Sequence, residues 1–239
     1  MAQAPVIGFA TSKGGSGKST TCILVAGEIA ARGERVLILD IDPQQSTVKW
    51  FERCKAAGAA PERIEVVSCI GERELGDRLD NLPEDGLVLI DAQGALTPSM
   101  AMVAAKADLI VVPSRASKLD IVEASYFVKY ASHFRDGGVR LFLNEVDGIA
   151  SKTNVFKEAI NFIVEEEIPY FRTMLQLRPI YRAVTDNGGT LATMKADAEQ
   201  IRKARANVFA LTTEILEELS DGGNAPADVH EKDAALAVG

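Results

Sequence analysis

The chain has 239 residues, with 34 acidic against 26 basic side chains and a net charge of −8. At 47% hydrophobic and 25% charged it has the make-up of a folded domain rather than a disordered segment. The acidic balance excludes a globally basic nucleic-acid binder, so any contact with DNA must come from a local patch. No apolar run approaches the ~18 to 20 residues needed to cross a bilayer, and MAQAPVIGFA lacks the basic-then-apolar layout of a signal peptide. The chain therefore reads as cytoplasmic. Cys22, Cys54 and Cys69 are odd in number and widely spaced, which suggests neither a disulfide framework nor a zinc site.

Short β-branched runs alternate with helical patterns along the chain. Strand 6–10 precedes helix 18–31, strand 35–40 precedes helix 46–57, and strand 64–68 precedes helix 72–82. Strand 87–91, helix 99–105, strand 109–112, helix 119–134 and strand 139–144 follow. Runs such as VLILD and LVLID are apolar on both faces, as parallel strands covered by helices are. The fold class is α/β: a doubly wound, mostly parallel sheet with helices on both faces, in a single domain. From about Leu191 the pattern becomes one long helix, with Ile201, Ala204, Val208, Leu211, Ile215 and Leu219 forming a core-facing stripe. Beyond it, residues 220–239 are rich in Ser, Asp, Gly, Asn, Pro and Ala and read as an acidic disordered tail after a domain over 1–219.

The most informative segment is Lys13 to Thr20, KGGSGKST, lying between the first strand and the first helix. Glycines let the backbone turn tightly and bring successive N–H groups onto phosphate oxygens, while the helix N-terminus adds positive potential. The expected cradle is Lys13, Gly14, Gly15, Ser16, Gly17, Lys18, Ser19 and Thr20. Lys18 is placed to reach the β and γ phosphates, and the Ser19 hydroxyl to ligate Mg²⁺. The common pattern G-x-x-x-x-G-K-[ST] requires glycine where Ser12 stands, and this loop carries an additional lysine, Lys13, instead. Spacing alone leaves open whether Lys13 reaches its own nucleotide or a neighbour's.

KGGSGKST, together with LDIDPQQS at 39–46 and LVLIDAQG at 87–94, resembles the deviant Walker ATPases of the ParA/MinD group over residues 5–219, and the DPQ is more similar to ParA. The resemblance implies an ATP- and Mg²⁺-dependent homodimer in which Lys13 crosses the interface to the partner's nucleotide. That would be the role an arginine finger plays in other nucleotide hydrolases. It further implies that Asp40 holds Mg²⁺ through water, that Asp42 orients the attacking water, and that Asp91 is a further carboxylate partner of the metal. Asn144, closing the strand LFLN, matches a position where the family reads the adenine edge; a plain turn residue would look the same. The family often has x-Pro-Pro after the Asp91 position, where this chain has Ala92, Gln93 and Gly94. D-A-Q-G also fits a D-x-x-G switch in which the Gly94 N–H senses the γ-phosphate, and Gln93 is either a water contact or an ordinary loop amide. Part of 91–124 is also similar to a ParA-like virulence protein that acts on transferred DNA.

The resemblance implies a slow, partner-stimulated ATPase that partitions or positions DNA or a protein cargo, with a small ParB-like or adaptor partner and non-specific binding to the nucleoid. Arg202, Lys203 and Arg205, with Lys195 one heptad before Arg202 on the same helix, are the candidate DNA patch, or else a solvated face shared with Asp197 and Glu199. Arg172, Arg178 and Arg182 are additional candidates. A MinD-like membrane switch needs a basic amphipathic C-terminal helix, whereas DGGNAPADVHEKDAALAVG is acidic and broken by Gly and Pro. A metabolic ATP-dependent enzyme would share the loop but lacks a recognisable substrate signature, and the cysteines do not suit an iron–sulfur carrier. His133 and His230 read as surface or satisfied residues, and Trp50 as a packing residue.

Overall fold

The computed structural model describes residues 3–134, 138–149 and 152–221. Its centre is a sheet of six parallel strands, β1 (Val6–Phe9), β2 (Val36–Asp40), β3 (Ile64–Ser68), β4 (Leu87–Asp91), β5 (Leu109–Arg115) and β6 (Val139–Asn144). They lie in the order β3-β2-β4-β1-β5-β6. Among the described residues, eight helices connect or follow them: α1 (Lys18–Ala31), α2 (Ser46–Ala56), α3 (Glu72–Asp80), α4 (Pro98–Lys106), α5 (Lys118–Ser132), α6 (Asn154–Glu165), α7 (Pro179–Asn187) and α8 (Ala198–Ser220). The doubly wound α/β class read from the sequence is therefore the observed one.

The apolar strands feed two cores, one on each face. Alternate side chains such as Val88, Ile90, Ile110 and Val112 pack with Leu75, Val103, Phe127 and Phe156 from α3 to α6. The intervening side chains, among them Ile7, Phe9, Ile38, Leu89 and Phe142, pack with Ile23, Trp50, Val184 and Val208 from α1, α2, α7 and α8. This period-2 division explains why the strands are apolar throughout: both faces are buried.

Several boundaries differ from the sequence reading. β5 runs through Pro113 to Arg115 and stays in register with β6. Its pairing with β1 ends at Val111, so on that side no ladder remains for the missing proline N–H to break. α3 stops at Asp80, two residues short of the expected end. The final helix does not begin near Leu191. Residues 190–194 form a turn in which the Met194 N–H donates to the Thr190 carbonyl, and α8 starts only after Asp197, whose side chain accepts from the Gln200 N–H at 3.0 Å. Lys195 consequently lies outside α8 rather than one heptad before Arg202 on the same helix. Ser220 is the last residue of α8, and residues 222–239 of the expected tail, with His230, lie outside the described residues.

α6 and α7 had no counterpart in the sequence reading. α6 is capped by Thr153 and buries Phe156, Ala159 and Ile163. α7 begins at Pro179 and buries Ile180, Tyr181 and Val184. Between them, an extended stretch runs along the outer edge of β6: the Phe171 N–H donates to the Leu141 carbonyl, the Leu175 N–H to Leu143 and the Leu177 N–H to Val146. That stretch covers the sheet edge and carries α7 to the carboxyl ends of the strands.

Candidate functional site

The loop after β1 turns through Gly15 (φ 75°) and Gly17 (φ 89°), left-handed conformations that favour glycine. Gly17 is the N-cap residue of α1, with no side-chain cap and no acidic residue in the first turn, so the leading N–H groups are left for an anion. Lys18 is buried, its ammonium donates to the Lys13 carbonyl at 3.1 Å, and desolvation lowers its pKa. The Ser16 hydroxyl is buried and has no hydrogen-bond partner. Ser19 and Thr20 are half-buried at the start of the helix.

Asp40 and Asp91 end adjacent strands in register, and both are fully buried. Their environments differ sharply. Asp40 is occupied within the chain: one oxygen accepts from the Thr47 N–H (3.0 Å), the Thr47 hydroxyl (2.6 Å) and the Val48 N–H (3.1 Å), and the other from the Asp42 N–H (3.1 Å). It thereby caps the start of α2, where a carboxylate also complements the helix dipole. Neither Asp91 oxygen has a hydrogen-bond partner. Burial and the negative charge of Asp40 push its pKa to about 8, although the nearby Ser19 hydroxyl and Lys18 ammonium work against the rise. An orphaned buried carboxylate beside Ser19 fits a divalent cation held jointly with phosphate oxygens. Asp40 has less spare capacity, since only the oxygen that accepts from the Asp42 N–H has a lone pair left.

Asp42 is half-buried in the loop between β2 and α2, where one oxygen accepts from the Gln44 N–H at 2.8 Å. Gly94 lies against the phosphate loop so closely that an added Cβ would sit 2.7 Å from the backbone of Lys13 and Gly14. Gln93 does not face open loop space: its amide donates to the Thr97 hydroxyl at 3.1 Å, and the same hydroxyl caps α4. Lys13 is turned away onto α5, contacting Asp120 at 2.5 Å and Glu123 at 3.6 Å while remaining about half exposed. Its hydrogen bond to Asp120 raises the lysine pKa. Burial acts to raise the Asp120 pKa, but hydrogen bonds from Lys13 and Ser117 leave it lowered.

Asn144 is buried at the end of β6, and its amide donates to the Ser16 carbonyl at 2.9 Å. It also lies where a Cβ on Gly17 would be, only 2.1 Å away, so Gly17 is demanded by contact as well as by φ. Beside this junction opens a cavity of about 740 Å³, bounded by Gly17, Thr20 and Leu24 on one side and by Asn144, Gln176 and Tyr181 on the other. Its volume suits the nucleoside half of a nucleotide whose phosphates lie in the loop.

Similarity to known proteins identifies the family. The profile of the VirC1 protein family matches residues 4–221. The chain belongs to the VirC1 protein family. A ParA protein of Rhizobium radiobacter is 27% identical to it over 222 residues, covering 91% of this chain and 98% of that protein. The maintenance of carboxysome distribution protein A of Gloeobacter kilaueensis is 29% identical over 214 residues, covering 88% and 93% respectively. Among solved structures, a putative plasmid partition protein of Borrelia burgdorferi B31 bound to AMPPNP shares the fold, with a TM-score of 0.67 at 16% identity over 90% of this chain and 100% of that one. This VirC1-family protein is a ParA-like deviant Walker ATPase.

The basic residues singled out from sequence divide differently in this VirC1-family fold. Arg178 and Arg182 line the cavity. Arg202 makes two bonds to Glu199 at 3.0 and 2.9 Å, Lys203 pairs with Glu199 at 3.1 Å, and Arg205 lies 4.0 Å from Glu28. All three remain exposed on α8. The Arg172 N–H donates to Glu214 at 2.6 Å. The Trp50 packing role is the observed one, since the side chain is fully buried. Sequence reasoning missed Tyr181, Thr185 and Gln176 on the cavity wall. Only Pro179, a favourable first residue of a helix, signalled that an element begins there.

Proposed function

We propose that this chain is an ATP-hydrolysing switch that partitions or positions DNA or a protein assembly, cycling between a monomer and an ATP-bound homodimer. The observation that carries the reading is the uncapped α1 N-terminus, lined by the KGGSGKST loop and facing the orphaned carboxylate of Asp91. Gly14 to Thr20 would cradle the phosphates of ATP, with Lys18 exchanging the Lys13 carbonyl for phosphate oxygens. The base and ribose would occupy the cavity beside Asn144. Here Asn144 serves the site first as the brace of Ser16, and its remaining amide oxygen is the atom left for an adenine amine.

Ser19 and Asp91 would hold Mg²⁺, which when bound neutralises part of the phosphate charge. Asp40 would act from behind them by fixing the start of α2, through water at most. Asp42 would orient the attacking water. Lys13 would leave Asp120 and Glu123 and enter the partner's site, so that hydrolysis is completed only in the dimer. Its half-exposed position makes that exchange cheap, because solvent screens a surface ion pair and leaves it contributing little. Gly94, in contact with the start of the loop, is positioned to register its movement when the γ-phosphate arrives.

Cargo, DNA and partner follow from the family. The dimer would present two copies of Arg202, Lys203 and Arg205 to non-specific nucleoid DNA in the cytoplasm, and a small ParB-like or adaptor protein would stimulate turnover. DNA affinity would then fall steeply with salt. The decisive test is Lys18→Ala, measured by equilibrium binding of a fluorescent ATP analogue. Binding should fall at least about a hundredfold, the loss expected when a buried charge partner of the phosphates is removed. Unchanged affinity would sink the phosphate-loop assignment.

A further inference from the structure

α2 is tied at both ends. At its start, Asp40 holds Thr47 and Val48 against the sheet. Further along, three side chains lock it to α7 and the turn that follows. The Trp50 indole N–H donates to the Gly189 carbonyl at 3.0 Å, and the buried Cys54 sulfur accepts the Gly189 N–H at 3.0 Å. Between them, Arg53 donates twice to the Thr185 carbonyl, from Nε at 3.0 Å and from Nη2 at 2.6 Å. Thr185 lies in the last turn of α7, where helix carbonyls lack intrahelical partners and a cation is electrostatically favoured. Thr185 also lines the cavity. The wall of the nucleoside cavity and the helix that follows the Asp42 loop are thus mechanically one piece, and α1 packs against that same α7.

We propose that Arg53 is a positioning residue for hydrolysis. By clamping α2 to α7 it lets a base and ribose in the cavity set the place of Asp42, whose loop joins the anchored end of α2. The proposal rests on the reading that Asp42 orients the attacking water. It identifies the preferred substrate class as nucleoside triphosphates rather than triphosphate alone, the preference residing in turnover. A shift of about 1 Å in a group that orients a nucleophile can cost up to a hundredfold in rate, so a clamp remote from the phosphates carries enough leverage.

The test compares ATP with inorganic tripolyphosphate. In Arg53→Gln, kcat for ATP should fall about ten- to a hundredfold while KM and analogue binding stay within about threefold, and any tripolyphosphate turnover should be unchanged. Arg53→Lys, which retains the charge and one donor, should recover part of the ATP rate. Trp50, the single tryptophan, reports the clamp directly: ADP should shift its emission in the parent protein, pyrophosphate should not, and Arg53→Gln should abolish the response to ADP. Trp50→Phe keeps ring bulk without the indole donor and serves if Arg53→Gln melts early; it should lower kcat in the same direction by less. Parental ATP turnover in Arg53→Gln, or an equal fall for ATP and tripolyphosphate, overturns the proposal. Intact hydrolysis in Asp42→Ala would instead overturn the underlying reading of Asp42, and no nucleotide binding by the parent protein would overturn the ATPase site.

Discussion

The proposed site has two halves, one for the phosphates and one for the nucleoside, and they are built in opposite ways. The phosphate half is contiguous: Gly14 to Thr20 supply the loop, the uncapped helix and the buried lysine within one turn and one helix start. The nucleoside half is assembled from α1, the end of β6 and a wall that includes α7, brought together from residues as far apart as Gly17 and Tyr181. Local geometry can specify anion binding because backbone N–H groups do the work. A cavity for a base has no such local code, since its shape depends on how distant elements pack. The two halves meet where Asn144 fills the space a Gly17 side chain would need and bonds the Ser16 carbonyl.

The largest effect that would separate the halves is expected at Asp42. Asp42→Ala should lower turnover about a hundredfold or more while leaving nucleotide binding in place, as measured by single-turnover hydrolysis beside equilibrium binding. Loss of binding in step with turnover would mean that the loop of Asp42 shapes the pocket rather than the chemistry.

Next comes the seam. Gly17→Ala places a Cβ in a left-handed conformation and against Asn144, a combined strain of about 1 to 3 kcal/mol. For a chain of this size that corresponds to a melting temperature lower by very roughly 2 to 4 °C per kcal/mol. Adding Asn144→Ala should recover the contact part and leave the backbone part, which a double-mutant cycle would resolve. Strictly additive losses would show that the two residues do not share a boundary.

A further effect concerns Asp91 in the nucleotide-free protein. Its pKa is raised to about 8 by burial and by Asp40, so between about pH 4 and 8 the folded chain retains a proton that the unfolded chain has lost. Stability should therefore fall as pH rises through that window and level off above it. Asp91→Asn removes this slope, so thermal melts without nucleotide or Mg²⁺ should show the variant gaining on the parent protein from pH 5 to pH 8. Parallel melting curves across that range would mean that Asp91 is not held protonated.

Much of the fold was legible because burial on both faces leaves strands such as VLILD and LVLID without polar alternation, and because α1 follows its glycine loop directly. α6 was readable in principle from the Thr153 cap and the spacing of Phe156, Ala159 and Ile163. α7 was harder to read: Ile180, Tyr181 and Val184 keep helical spacing, but nine residues are a shorter window than a periodic pattern needs. Lys195 was misplaced because the apolar spacing around Leu191 mimics a helix, whereas Asp197 starts a new one. Asp40 and Asp91 look equivalent in sequence, each closing an apolar strand. Only the neighbours that pack against them make one a helix cap and leave the other without a partner.

By itself, then, the sequence determined the layered parallel sheet and the glycine turn that leads into α1, because alternation of buried faces and backbone turning at glycine are properties of short contiguous segments. The tertiary structure alone decided which carboxylate stays free, where Lys13 rests, and how α7 closes the nucleoside cavity and grips α2. The place of Lys13 and the grip of α7 on α2 depend on groups more than a hundred residues apart meeting at hydrogen-bond distance, as the Trp50 indole and the Gly189 carbonyl do, and no local pattern encodes such a meeting.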